Sequence, residues 1–228
     1  MYHMSKLCHI DIPSYSFKQE KFNSISHLAG IPIGIATIIA SSCLFAFRKL
    51  SSPFFIGIII FGSTTIILYL ISGLYHLTNP EKESAKKILR IIDHCTIYVL
   101  IAGTYTPICI YLFDKTILGL ITLILEWSLA LIGILINAIN LTNKWVKIIS
   151  MILYLVMGWL LLFTGMFIYL PTTPFILILI GGISYTVGSI TYGIGHKKLS
   201  FHSIFHIFVL IGTIIQAIGV ILIFIIMS

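Results

Sequence analysis

Apolar residues in this chain gather into seven blocks of roughly 20, each long enough for a helix to cross a bilayer, with charged or proline-bearing breaks between them. The blocks lie at about 25–47, 54–77, 91–113, 117–139, 147–169, 175–195 and 202–227. This pattern predicts an all-α membrane protein, a seven-transmembrane helix bundle. It divides the chain into a tail, residues 1–24, and a transmembrane domain, residues 25–228, whose loops are too short to hold a soluble domain. The tail carries Lys6, Lys18, Glu20 and Lys21 but lacks the apolar core of a cleaved secretion signal, so the first helix is expected to direct insertion itself.

Composition agrees: of 228 residues 58% are hydrophobic and only 9% charged, far from the mixed usage of a soluble domain. The few charges set the orientation. Lys6, Lys18 and Lys21 in the tail share one side with Lys82, Lys86, Lys87 and Arg90 in the second loop, Lys144 and Lys147 in the fourth, and Lys197 and Lys198 in the sixth. Only Arg48, Lys49 and Lys115 fall on the other. Basic residues stay cytoplasmic, which predicts a cytoplasmic N-terminus and an external C-terminus. The net charge of +7 mostly reflects this bias and attracts anionic headgroups. No aromatic residues interleave it as in a nucleic-acid groove, so no nucleic-acid partner is expected.

Topology drawn from lysine and arginine alone brings Ser72, His76, His27, Asp93, His94, His202 and His206 to one membrane level. Polar groups at such depth are costly, and their convergence from distant parts of the chain marks a functional site. His202 and His206 are four residues apart, on one helix face and about 6 Å apart along the axis; Ser72 and His76 share the relation. Neutral imidazole is a good zinc ligand, and three histidines with one open position make a catalytic type of site that acidifies water. His76, His202 and His206 are therefore the expected ligands and zinc the expected metal. Asp93 is placed to orient the water or take its proton, and Ser72 to hydrogen-bond the water or a substrate carbonyl. His94 is rotated about 100° from Asp93 and suits an outer role. Two stripes of small and polar residues, Glu20, Asn23, His27, Gly30, Gly34, Thr37 and Ser41 in the first helix and Gly181, Ser184, Gly188, Thr191 and Gly195 in the sixth, read as tight helix packing.

Elsewhere, Pro32 and Pro107 are expected to kink the first and third helices. Glu126, mid-span beside Trp127, suits either a protonated, hydrogen-bonded carboxyl or a proton relay. Cys8, Cys43, Cys95 and Cys109 form no Cys-x-x-Cys pair, and no disulfide is expected. His196 reads as a loop residue, and His3 and His9 as part of an unstructured tail.

Three groups of these residues resemble the signature motifs of the progestin and adipoQ receptor superfamily: Glu20-x-x-Asn23-x-x-x-His27, Ser72-x-x-x-His76 followed by Asp93, and His202-x-x-x-His206. The Asp93-His94 pair, the Thr104-Tyr105-Thr106-Pro107 run and the Gly181-Gly182 segment with Tyr185 and Gly188 are most similar to its bacterial hemolysin III branch. The resemblance implies seven helices, a zinc held by His76, His202 and His206 with Asp93 and Ser72 near its water, and kinship with alkaline ceramidases, which hydrolyse lipid amides. It also implies a multi-pass protein of the bacterial cell (inner) membrane, in a branch named for haemolysis and linked to membrane-energy and lipid homeostasis.

Three classes of function follow. In the first, a zinc-dependent hydrolase acts on a membrane lipid amide or ester. In the second, zinc staples the helices of a receptor-like regulator, with a lipid as its ligand. The third is a channel or pore-forming haemolysin, which needs a polar path across the bilayer. The apolar stretches Phe54 to Phe61 and Ala217 to Met227 oppose it.

Overall fold

The computed structural model describes residues 10, 12–48, 52–195 and 199–227. His3, Lys6, Cys8, His9, Lys49, His196, Lys197 and Lys198 lie outside the described residues. The described chain is helical throughout, with no strand: α1 (Phe17–Leu28), α2 (Ile31–Arg48), α3 (Ser52–Leu77), α4 (Glu83–Leu112), α5 (Ile117–Asn140), α6 (Lys144–Gly158), the short α7 (Leu160–Phe163), a 3-10 turn at Met166–Tyr169, α8 (Thr172–Gly195) and α9 (Ser200–Met227). Among the described residues six stretches are long and apolar enough to cross a membrane: Phe17–Phe47, Ser52–Leu77, Glu83–Leu112, Ile117–Asn140, Thr172–Ile194 and Ser200–Ile226. The protein is a multi-pass membrane protein.

Two helices begin earlier than their apolar blocks because a helix does not end where hydropathy falls. Residues 17–24 form the first two turns of α1, which Ser16 starts with a capping box: its hydroxyl accepts the Gln19 N–H at 3.3 Å, and Gln19 Oε1 accepts the Ser16 N–H at 2.9 Å. The chain then bends at Ala29–Gly30, and Pro32 sits as the second residue of α2, where its missing N–H costs nothing. Helix α4 likewise extends back to Glu83, so Lys86, Lys87 and Arg90 belong to a helix and are buried on it. Lys86, fully buried, donates to Glu20 Oε1 at 2.6 Å and to the Thr78 carbonyl at 2.9 Å.

The fifth apolar block, expected as one helix over 147–169, is interrupted. Helix α6 stops at Gly158, α7 adds a single turn, and Gly165 reverses the chain with φ +72 before the 3-10 turn. Fifteen residues of α6 reach only about 22 Å, short of a roughly 30 Å hydrocarbon core. The break is bridged from α4. The Tyr105 hydroxyl donates to the Gly158 carbonyl and accepts the Leu161 N–H, both at 3.0 Å, so one phenol satisfies both sides of the gap. Hydropathy cannot register such a break, because every residue around it is apolar. Tyr105→Phe should leave two buried backbone groups unpaired and lower stability by about 1–2 kcal/mol, read as a reduced unfolding midpoint in detergent.

Small residues set the helix spacing. A Cβ on Gly34 would lie 2.7 Å from the Gly62 carbonyl, so α2 and α3 touch through bare backbone. Across α8 and α9, a Cβ on Gly181 would meet the Gln216 side chain and lie 3.0 Å from the Gly212 carbonyl. Further along, the Thr213 hydroxyl donates to the Val209 carbonyl and receives the hydroxyls of Tyr69 and Tyr185, both at 2.7 Å, which pins α3, α8 and α9 together.

Candidate metal centre

The end of α3, the start of α9 and the docked α1 meet at one end of the bundle. His76 comes from the last turn of α3, and His202 and His206 from the first two turns of α9. Each ring offers a ligand atom, and the three atoms lie within 4.8 Å of one another. His202 Nε2 is 3.4 Å from His76 Nε2 and 3.0 Å from His206 Nε2.

The outer nitrogens fix which atoms carry protons. His76 Nδ1 is 2.6 Å from Glu20 Oε2, and His206 Nδ1 is 3.2 Å from the Asn23 carbonyl. Neither oxygen can donate to a ring, because one belongs to a carboxylate held by Lys86 and the other to the backbone. Both Nδ1 atoms therefore donate, and both Nε2 atoms present lone pairs to His202. The single Nε2 of His202 can donate to at most one of them. Such converging lone pairs, with outer partners fixing the tautomers, are what a cation needs. The Glu20 charge is also met by Lys86 at 2.6 Å.

Glu20 and Asn23 are thus more than packing residues, the role expected from their stripe; Gly30 and Gly34 do serve it that way, against Tyr69 and Gly62. Their spacing of i and i+3, with His27 at i+7, marks one helix face but says nothing of what that face meets. His27 lies against the His206 ring, centroids 3.6 Å apart, and among the described residues neither of its buried nitrogens has a hydrogen-bond partner. Tyr15, which stacks on His202 at 5.2 Å and on which no expectation fell, has its phenol pushed above the usual range by burial and stays neutral.

Behind the three histidines a chamber opens into the bundle. Ser72 and Asp93 line it with His27, His202 and His206, so both expected polar residues share a space with two of the three clustered histidines, although Asp93 is not one of the clustered ligands. His94 also lines the chamber, with its Nδ1 on the Arg90 carbonyl at 2.8 Å and its Nε2 on the Tyr192 hydroxyl at 3.1 Å. Deeper walls are apolar, with Leu68, Leu100, Ile101, Leu155 and Val209, and the chamber continues to Gln216. From His202 to Gln216 is about 21 Å along α9 at the usual helical rise. Glu126 is outside this space, fully buried on α5, and among the described residues neither of its oxygens has a hydrogen-bond partner. The Cys95 thiol meets the Ile134 carbonyl at 3.8 Å.

An all-helical, multi-pass membrane protein with a buried histidine triad at the mouth of an apolar chamber is a narrow class. The chain belongs to the haemolysin III family, whose sequence profile, described as haemolysin-III related, matches residues 15–217. It is 40% identical over 202 residues to the hemolysin-3 homolog of Bacillus subtilis (strain 168), covering 87% of this chain and 91% of that protein. It is 35% identical over 199 residues to hemolysin-3 of Bacillus cereus, covering 86% and 87%.

Proposed function

We propose that the protein is a zinc-dependent hydrolase of the bacterial cell membrane, acting on a membrane lipid amide or ester. In this reading the interrupted fifth segment completes seven crossings, and the bias of basic residues puts the N-terminus in the cytoplasm. The observation that carries it is the convergence of three imidazole nitrogens at the mouth of a chamber about as long as an acyl chain, with a carboxylate beside them. His76, His202 and His206 would hold the metal, and a zinc ion bound there supplies Lewis acidity toward water and a carbonyl oxygen. The chain's own groups do the rest. Apolar walls take the acyl chain and exclude bulk water, while Ser72 Oγ is placed to donate to a carbonyl oxygen and Asp93 to accept a proton from water. The test is incubation of zinc-loaded protein with a panel of ceramide-like, acyl-amide and ester lipids. Release of a fatty acid from one of them supports the reading, and none from the whole panel sinks it in favour of a regulator.

The names of the relatives raise pore formation, which the packing opposes. Away from the histidines, Phe54, Ile58 and Phe61 of α3 and Val220, Ile223 and Phe224 of α9 are at most 1% exposed and pack into one apolar core. An ion crossing there would find nothing to replace its hydration. Protein reconstituted in planar bilayers is expected to give no unitary currents. Reproducible steps abolished by Gln216→Leu would put the channel first.

A further inference from the structure

Next to the chamber lies a second and more polar pocket. It is formed by Pro13 and Ser14 before α1, Tyr75 of α3, Arg90 of α4 and Tyr192 of α8, and it shares Asp93 and His202 with the chamber. Arg90 is 6% exposed, yet among the described residues its guanidinium forms no ion pair. Glu20 is engaged by Lys86 and His76 and Glu83 by Lys87, while Asp93 lines the same pocket and acts on Arg90 through its field without coming within 4.0 Å of the guanidinium. A buried guanidinium that no carboxylate touches among the described residues keeps donors for an anion that arrives from outside, with Asp93 near enough to temper its charge but not to fill its fork.

The donors around it describe that anion. A guanidinium presents a planar fork of N–H groups, and here the phenols of Tyr15 and Tyr75 stand in the same pocket. Tyr75 is 3% exposed and Tyr15 is neutral, so both have hydroxyls to offer. A fork plus two hydroxyls on separate helices and turns exceeds what the two oxygens of a carboxylate require and matches the oxygens of a phosphate. The two pockets meet at Asp93, His94, Tyr192 and His202, so a molecule with its head beside Arg90 can lay its chain in the apolar chamber past His202.

We propose that Arg90, with Tyr15 and Tyr75, binds the phosphate headgroup of the lipid whose chain fills the chamber, which makes the substrate of the proposed hydrolase a phospholipid. The inference rests on the chamber being a lipid site, and its test needs no hydrolysis. Full-length, zinc-loaded protein in maltoside detergent is titrated with hexadecyl phosphate, with hexadecanol and with inorganic phosphate. Hexadecyl phosphate should bind at least about tenfold tighter than hexadecanol, because charge-assisted hydrogen bonds are the strong ones. Arg90→Gln should remove that advantage while leaving hexadecanol binding and zinc content as they were; Arg90→Lys, which keeps the charge but not the fork, should fall between. Should Arg90→Gln fail to fold, the double substitution Tyr15→Phe with Tyr75→Phe must weaken hexadecyl phosphate alone. Equal binding of hexadecyl phosphate and hexadecanol, or an advantage untouched by these substitutions, overturns the headgroup assignment and spares the lipid chamber. Inorganic phosphate binding as tightly as hexadecyl phosphate would show a free-phosphate site instead. If neither long-chain compound binds, the lipid chamber itself fails.

Discussion

Alanine in place of His76, His202 or His206 is expected to strip the protein of zinc. Wild-type protein should carry about one ion per chain, and each variant should lose more than about a hundredfold in affinity, read by metal analysis after a chelator wash. The size follows from the geometry. The three Nε2 atoms already face one point, and the outer hydrogen bonds hold two of the rings in place, so removing a ring removes a ligand and not merely a restraint. Glu20→Gln separates the two effects. It alters the contact on His76 Nδ1 but leaves all three rings, and the expected loss is the roughly 10–100-fold typical of an outer partner. His27→Ala should keep its zinc, since His27 touches the triad only through the face of His206. Stoichiometric zinc in any one of the three alanine variants would remove that residue from the ligand set.

The second large effect is expected at Asp93. Asp93→Asn preserves the shape of the side chain beside the triad but cannot accept a proton from water, so hydrolysis of whichever lipid proves to be the substrate should fall by about 10²–10⁴-fold while zinc content stays near one per chain. Both readouts are needed. Loss of activity together with zinc would make Asp93 a support for the metal. Full activity with full zinc would end its assignment to proton transfer, and with it the strongest argument for hydrolysis over regulation.

The helices and the triad were legible because they are written in patterns of short range. Long apolar runs mark α2, α3, α5, α8 and α9, and His202 and His206 sit one turn apart on a face that must point somewhere other than lipid. The sequence was weaker wherever a partner decides the outcome. Nothing local in 147–169 tells that Tyr105, more than 50 residues earlier, will hold a helix open at Gly158. Nor does the stripe on α1 tell that Glu20 reaches His76 and Lys86 on two other helices, since a carboxylate among small residues looks the same whether it faces headgroups or an imidazole. Lys86 itself, read as a loop cation, is buried because that carboxylate is there to meet it.

Helix α1 supplies no metal ligand, yet Glu20 and Asn23 hold the outer nitrogens of two of the three rings. Affinity for a cation and docking of this amphipathic segment are therefore two sides of a single equilibrium. Whatever free energy the rings lose when α1 lifts away must reappear as tighter seating of α1 when an ion is present. A helix that lies between the tail and the first long apolar run would thus give a bound metal a mechanical reach to the protein's surface, and protection of its amide hydrogens would become a measure of site occupancy that can be taken without any substrate.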